Sequence, residues 1–179
     1  MNKSTPYEII NTEASDLEVI YWLFDQAIYY QKKNNYPFWP DYDKDVLKKD
    51  IYDRRQFKIL LEGSIVCIFS ICYSDIVVWR ERDNKQSIYL HRVVTHPKFK
   101  GRKLFQKVLY WAIDYSRENR IKFIRMDTWA DNPTLVSYYQ SFNFNIVDFW
   151  TTPNSKELPI QQRGNEIVLL EYEVKQITY

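Results

Sequence analysis

Glycine, cysteine and histidine are all scarce in this sequence, and their scarcity excludes several kinds of protein. There are three glycines, two cysteines and two histidines among 179 residues. Metal centres built from cysteine and histidine place these residues at a defined spacing that is absent here, so we expect no metal site. Cys67 and Cys72 lie on opposite faces of one predicted strand and are too close along an extended chain to bridge each other. We expect two buried, free thiols.

Long apolar runs and a strong net charge are also missing. No apolar run reaches the length that spans a membrane, and residues 1–6 lack the hydrophobic segment of a secretory signal. We therefore expect a cytoplasmic protein with no membrane partner. The net charge of +2 is too small to indicate a nucleic acid partner. With 45% hydrophobic and 27% charged residues, the length suits a single globular domain over residues 1–179.

Aromatic residues, in contrast, are abundant. They make up 17% of the chain, with 15 tyrosines and 6 tryptophans. Segment 36–42 has two prolines, which exclude regular structure, and four aromatic residues, which are untypical of a solvated loop. Aromatic residues of this kind fill a core, line a pocket or form an interface, and composition alone does not choose among these.

The central pattern is a strand, a basic turn and a helix. Residues 87–95 are rich in β-branched and aromatic residues and predict a strand, which Pro97 ends. From Leu104 onward, apolar residues recur at three- and four-residue spacing, as on one face of a helix. The first N–H groups of that helix point into the turn, where four cations lie: Lys98, Lys100, Arg102 and Lys103. This arrangement predicts a binding site for a pyrophosphate in the turn.

A second unit follows the first. Residues 123–129 predict another strand, followed by Ala130-Asp131-Asn132-Pro133 and a short helix that runs toward Tyr139 and Phe144. This order resembles the GNAT acyltransferase superfamily, whose members carry a glycine-rich strand-to-helix turn, an Ala-Asp-Asn and a helix ending Tyr-x-x-Leu-Gly-Phe. Two departures stand out: Lys103 and Phe105 occupy positions where the family usually has glycine or another small residue. Asn143 replaces a further glycine, which is mild because Asn tolerates a left-handed conformation.

The resemblance implies an α/β fold and a cofactor. The expected sheet is mixed and mostly antiparallel, with about seven strands and with helices on both faces. The implied cofactor is acetyl-CoA, with its arm on strand 87–95 and its phosphates on the turn. The residues implied to contact it are Val93, Val94, Thr95, Phe99, Lys100, Gly101, Arg102, Lys103, Leu104, Asn132 and Tyr139.

Other elements follow from local patterns. We predict a strand at 7–10, a helix capped by Ser15 and Glu18 and ending near Lys33, and a second helix ending near Arg54. Two strands, at 57–61 and 65–72, form a hairpin. A polar connection covers 75–86, a strand 145–150, a loop 151–164 and a final strand 167–174.

The resemblance also implies catalytic residues. Tyr139 lies where the family often has the tyrosine that protonates the thiolate, although it and Tyr138 could equally pack beneath the sheet. Asn132 either caps its helix or bonds the cofactor. Many members have a carboxylate on the strand before the turn, but residues 87–95 contain none. His91 and Tyr89 are the nearest substitutes for a general base, on one face with Ser87 and Val93, although a strand histidine is often structural.

The acceptor is the least specified partner. The family folds the segment after its first helix over the acceptor, so Tyr30, Tyr36 and Trp39 are expected to line the acceptor pocket. The same rings could instead form a homodimer interface, leaving the acceptor to Trp150 and the loop after it. The predicted activity is acetyl transfer from acetyl-CoA to a primary amine of a small molecule or peptide, by direct attack in a ternary complex. One alternative is a non-catalytic acyl-CoA-binding module. Another is a nucleic acid adaptor, which the near-neutral net charge disfavours.

Overall fold

Seven strands form one sheet in the computed structural model, which describes residues 7–175. The strands are β1 (Glu8–Asn11), β2 (Gln56–Leu61), β3 (Ser64–Cys72), β4 (Ser87–Thr95), β5 (Phe123–Trp129), β6 (Asn145–Thr151) and β7 (Glu166–Glu173). Their order is β1-β2-β3-β4-β5-β7-β6, and every neighbouring pair except β4 and β5 is antiparallel. The expected mixed, mostly antiparallel sheet is confirmed. Residues 1–6, in which no secretory signal was expected, lie outside the described residues.

Five α-helices cover the two faces of the sheet. They are α1 (Leu17–Lys33), α2 (Lys44–Tyr52), α3 (Ile76–Trp79), α4 (Leu104–Glu118) and α5 (Pro133–Gln140). On one face, α4 and α5 bury their apolar residues with Ile88, Leu90 and Ile124 of the central strands. On the other face, α1 and α2 pack on Ile68 and Val94. Within residues 7–175, no helix is both long and apolar enough to cross a membrane.

The start of α1 differs from the prediction. The predicted cap of Ser15 and Glu18 is wrong, because a 3-10 turn at Ala14–Asp16 precedes the helix. The carboxylate of Asp16 accepts the N–H of Glu13 at 2.7 Å and also pairs with Lys58 at 2.7 Å. The capping box therefore lies two residues earlier than predicted, between Glu13 and Asp16. The ion pair with Lys58 holds the Asp16 carboxylate in this position.

Two connections contain more structure than predicted. The polar connection 75–86 includes α3, whose Trp79 is fully buried beside Tyr89. The loop 151–164 contains a 3-10 turn at Ile160–Gln162 and buries Leu158. Short apolar groups in polar surroundings gave too weak a pattern to predict these elements, and tertiary packing decides them.

The junction between β4 and β5 opens the sheet. Their parallel pairing runs from Ser87 opposite Phe123 to Tyr89 opposite Arg125. Beyond this point β4 pairs with β3 alone, while β5 continues to pair with β7 as far as Trp129. The strands diverge and leave a V-shaped gap.

A β-bulge lies in β4 just beyond that junction. Val94 pairs with Ile68 and His91 pairs with Ser70, so Arg92 and Val93 together oppose the single residue Phe69. Arg92 takes a positive φ of 51°, and its guanidinium pairs with Asp50 of α2. The bulge reverses the alternation of side chains. The prediction that Val93 shares a face with Tyr89 and His91 is therefore wrong, because Val93 packs on the α4 side.

Candidate active site

The gap between β4 and β5 forms a cleft of about 610 Å³. Its walls come from α1, segment 36–39, β4, the turn before α4, β5, α5 and the 3-10 turn at Ile160–Gln162. Segments that are distant in the sequence thus meet around one cavity. The cleft is large enough for a cofactor arm and a small ligand.

The turn before α4 has the backbone of an anion site. Gly101 has a φ of 78° and Lys103 a φ of 54°, so a lysine adopts the left-handed conformation in which glycine was expected. In the part of the chain that the structure describes, the N–H groups of Gly101, Lys103, Leu104 and Phe105 have no hydrogen-bond acceptor. Free N–H groups at a helix N-terminus attract phosphate oxygens.

The turn and the open edge of β4 together fit acetyl-CoA. Among residues 7–175, the main chain near Val93, Val94 and Thr95 has no strand partner on the cleft side, so a peptide-like arm can bond there. All the predicted cofactor residues line the cleft except Arg102, whose guanidinium lies 5.1 Å from the Phe99 ring. The ammonium of Lys100, which belongs to the turn, lies over the ring of Tyr30 of α1.

Tyr139 lies in the cleft among other rings. Its ring is 4.9 Å from that of Phe105 and 6.4 Å from that of Phe144. Burial raises the pKa of Tyr139 above its ordinary value, so the phenol keeps its proton at any physiological pH. Asn132 caps α5, with its Oδ1 accepting the N–H of Leu135 at 3.1 Å, and it also lines the cleft. The left-handed conformation expected for Asn143 is confirmed, at a φ of 66°.

His91 lies between two carboxylates. Its Nε2 is 3.1 Å from Oδ2 of Asp75, and its Nδ1 is 4.0 Å from Oδ1 of Asp127. The amide Nε2 of Gln162 lies 3.4 Å from the same Nδ1. Only 10% of the His91 side chain is exposed, so these neighbours govern its charge.

The pKa values of this group follow from burial and charge. Burial lowers the pKa of His91, but Cys72 and Asp75 outweigh it, and the pKa rises well above its ordinary value. Burial raises the pKa of Asp127 to about 6, and His91 partly offsets that rise. A histidine with a raised pKa is a strong base once it is neutral.

The geometry of Asp75, His91 and Asp127 favours proton transfer over metal binding. Their ligand atoms lie within 4.8 Å of one another, but the two ring nitrogens of His91 face different carboxylates. One imidazole offers one nitrogen to a metal ion, and the two carboxylates lie nearest to different ring nitrogens. The cluster suits proton transfer better than metal binding.

Besides Arg102, two predicted site residues lie outside the cleft. The hydroxyl of Tyr89 donates to Asp83 at 2.5 Å and lies 3.2 Å from the guanidinium of Arg125, in a buried network. Trp150 packs against the buried cluster that contains Trp79 and Leu158, and the guanidinium of Arg80 lies 4.4 Å from its ring. We assign structural roles to both residues.

The aromatic residues after α1 partly line the cleft and partly pack the loop. Tyr30, Tyr36 and Trp39 reach the cleft. Trp39 also packs against Phe24 at 5.5 Å and against Trp129 at 6.0 Å. The segment therefore lines the cleft and packs against the rest of the domain at the same time.

A second cavity of about 260 Å³ lies on the other side of His91. Three of its lining residues, His91, Arg92 and Gln162, line the main cleft as well. Asp75 and Glu157 give it an acidic wall. The imidazole therefore has one nitrogen near each cavity.

Sequence reasoning missed Asp75, Asp127, Gln161 and Gln162. Asp127 carried one usable signal, since an acidic residue in the middle of a strand is unusual unless it is paired or functional. Asp75 and the two glutamines stand in segments predicted as polar connection and loop. Nothing local distinguishes them there, because only the fold brings them to His91.

Comparison with known proteins agrees with this geometry. The model of the GNAT acetyltransferase family matches residues 24–144. The chain belongs to this family. Membership places it among the N-acetyltransferases, enzymes that use acetyl-CoA as acetyl donor.

Individual relatives are more distant. YesJ of Bacillus subtilis (strain 168), an uncharacterized N-acetyltransferase, is 33% identical over 76 residues, which span 41% of this chain and 41% of that protein. A GNAT acetyltransferase from Listeria monocytogenes 4b F2365 superimposes with a TM-score of 0.75 at 20% identity, over 93% of this chain and 94% of that chain. The structure of yncA from Salmonella typhimurium, solved with its cofactor acetyl-CoA, has a TM-score of 0.66 at 16% identity and covers 97% of both chains. These superpositions show a shared fold.

Proposed function

We propose that this protein transfers the acetyl group of acetyl-CoA to a primary amine of a small molecule or peptide, by direct attack within a ternary complex. The observation that carries the proposal is the single cleft that contains the free N–H groups of the turn, Tyr139 and His91. A cofactor seat, a proton donor and a base in one cavity are the groups that acetyl transfer to an amine requires. Acetyl-CoA supplies the acetyl thioester.

The cleft divides into two ends in this proposal. The cofactor end consists of the turn at 97–103 and the first turn of α4, whose N–H groups hold the phosphates. The acceptor end consists of His91, Asp127, Gln161, Gln162 and the aromatic residues Tyr30, Tyr36 and Trp39. Binding at both ends brings the reacting groups together, which can by itself lower the barrier by several kcal/mol.

His91 removes the proton from the acceptor amine. Its Nδ1 is the ring nitrogen nearer Asp127 and Gln162, two residues that line the cleft, while Asp75 orients the ring through Nε2. Asp127 lies on the same wall and attracts a cationic amine toward the imidazole. The aromatic rings exclude water and stack on the acceptor.

Tyr139 donates a hydrogen bond to the departing thiolate. Its hydroxyl keeps its proton because its pKa is raised, and no residue between 7 and 175 bonds to that hydroxyl. A free phenol in a dry, aromatic part of the cleft is a suitable donor. Tyr138 stands beside it, is more exposed and serves as a natural comparison.

The decisive experiment combines binding and turnover. Calorimetry with acetyl-CoA and with CoA should show binding at the cleft, and thiol release should then appear with at least one amine in a panel of small amines and peptides. Binding without release for any amine would favour the non-catalytic acyl-CoA-binding module. No binding of either thioester or thiol would refute the cofactor end.

Tyr139→Phe tests the proton donor. We expect kcat to fall roughly 10- to 100-fold with little change in the Kd of acetyl-CoA, because the hydroxyl acts on the leaving thiolate. Steady-state thiol release measures this, with Tyr138→Phe as the matched control. Equal losses in both variants would point to packing of the aromatic cluster instead of proton donation.

A further inference from the structure

Gln161 has a buried side chain whose amide has no partner. Only 3% of the residue is exposed, and neither Nε2 nor Oε1 forms a hydrogen bond among residues 7–175. Buried amides are almost always bonded, because an unpaired donor and acceptor are costly away from water. Gln161 lines the main cleft, so a ligand that enters the cleft can reach it.

Hydrogen bonds to the backbone carbonyls of Gln161 and Gln162 hold the turn in place. Thr152 donates its hydroxyl to the carbonyl of Gln162 at 2.6 Å and accepts the N–H of Asn165 at 2.9 Å. Asn165 donates its side-chain amide to the carbonyl of Gln161 at 2.9 Å. These bonds fix the 3-10 turn without using the Gln161 side-chain amide, which is the arrangement of a preorganised binding residue.

Gln56 shows how this chain treats a buried glutamine that has no ligand to bind. It is 1% exposed, and its Oε1 accepts the hydroxyl of Thr12 at 3.1 Å, far from the cleft. The fold therefore provides a partner at one buried glutamine and provides none at the other. The difference between the two sites is that Gln161 faces the cleft.

The chemistry of the amide defines its ligand. A glutamine side chain offers one acceptor and one N–H₂ donor side by side, and the group that complements both is another amide. The neighbouring residue Gln162 contacts His91, so a group bound at Gln161 lies close to the reacting amine. We propose that the acceptor carries a carboxamide or peptide group near its amine and that the Gln161 amide pairs with that group.

This inference rests on the proposed acetyl transfer and specifies the acceptor. A purely cationic tail would leave the acceptor atom of Gln161 bonded and its donor unpaired, whereas a peptide-like group satisfies both. The arm of CoA also contains amides, so the experiment must separate the two sources. Acceptor binding and cofactor binding are therefore measured independently.

Kinetics with matched amines form the first arm. The probes are β-alaninamide, which carries the carboxamide, its near-isostere isopentylamine, and 1,3-diaminopropane, which carries a second cation. We expect the native protein to prefer β-alaninamide, and Gln161→Met to raise its KM roughly tenfold while leaving the KM of isopentylamine unchanged. Equal effects on both amines would overturn the proposal, as would a preference of the native protein for 1,3-diaminopropane.

Spectroscopy and stability form the second arm, which does not depend on turnover. The side-chain amide resonance of Gln161, assigned by its loss in Gln161→Met, should shift when CoA-bound protein is titrated with β-alaninamide and not with isopentylamine. Gln161→Met should also raise the urea midpoint of unfolding, whereas the matched control Gln56→Met should lower it, because only Gln56 loses a hydrogen bond.

The outcomes separate the two levels of the proposal. A shift of the Gln161 resonance on addition of CoA alone would assign the amide to the cofactor arm and overturn the acceptor assignment. A fall of the urea midpoint in Gln161→Met equal to that in Gln56→Met would show a structural role. Selective shifts without acetylation of any amine would support the carboxamide site and refute the catalytic function.

Discussion

The free polar groups at the proposed cofactor end of the cleft are backbone N–H groups, whereas those at the proposed acceptor end are side chains. At the cofactor end, the free N–H groups of Gly101, Lys103 and Leu104 depend on chain direction more than on residue type. At the proposed acceptor end, His91, Asp127 and Gln161 come from three separate segments, and Asp75, which pairs with His91 from the second cavity, comes from a fourth. The cofactor end can therefore tolerate substitution, as Lys103 in a left-handed conformation shows, whereas the acceptor end depends on each side chain.

Replacing His91, the proposed general base, should impair the acceptor end and leave the cofactor end unchanged. We expect His91→Gln to lower kcat roughly 100- to 10,000-fold, the range for loss of a general base, while the Kd of acetyl-CoA stays the same. Thiol release and calorimetry measure the two quantities. His96→Gln alters the other histidine, which accepts the N–H of Lys98 at 3.1 Å at the cofactor end, and should keep most of kcat. A loss of cofactor binding in His91→Gln would show that the two ends are not separable.

Replacing Asp75 should move the pH dependence of the acceptor end. His91 acts as a base when neutral, so kcat/KM should rise with pH through the His91 pKa, which is raised above its ordinary value. The groups that face His91 are Cys72, Asp75, Asp127 and Arg92. Asp75→Asn removes one negative charge beside Nε2, which should lower the His91 pKa and shift the acid limb to lower pH.

A pH–rate profile measures this shift, and Glu157→Gln is the control. Glu157 lines the same second cavity but makes no ion pair with His91 in the described part of the chain. Its replacement should leave the acid limb in place. An acid limb that does not move in Asp75→Asn, or that moves upward, would exclude His91 as the titrating base.

The smallest expected effect is at the cofactor end. Lys103→Gly should raise the free energy of unfolding by about 0.5–1 kcal/mol, because glycine adopts a positive φ without the steric cost that lysine carries. Chemical denaturation measures this change. Acetyl-CoA should bind with nearly the same Kd, because the N–H groups remain. A large gain in affinity would instead mean that the lysine Cβ obstructs the phosphates.

The same contrast explains what could be predicted from the sequence. The strand, turn and helix around Lys103 follow from local periodicity and from the motif, and β4 and β5 have the predicted bounds. The acceptor end could not be predicted to the same degree. Asp75 precedes α3 and meets His91 because Trp79 of α3 is buried against Tyr89, a contact that depends on the whole fold. Arg92 has a positive φ without being glycine, so the bulge leaves no local signal.

The bulge at Arg92 acts on side chains as a frameshift acts on codons. Before it, Tyr89 packs with the cluster around Trp79, and after it Val94 packs on α1, although five residues of a regular strand would have placed them on opposite faces. One extra residue thus changes the reading frame of a nine-residue strand. A single deletion there would exchange the faces of everything from Val93 onward, so evolution can vary the residues of this strand far more easily than it can vary their number.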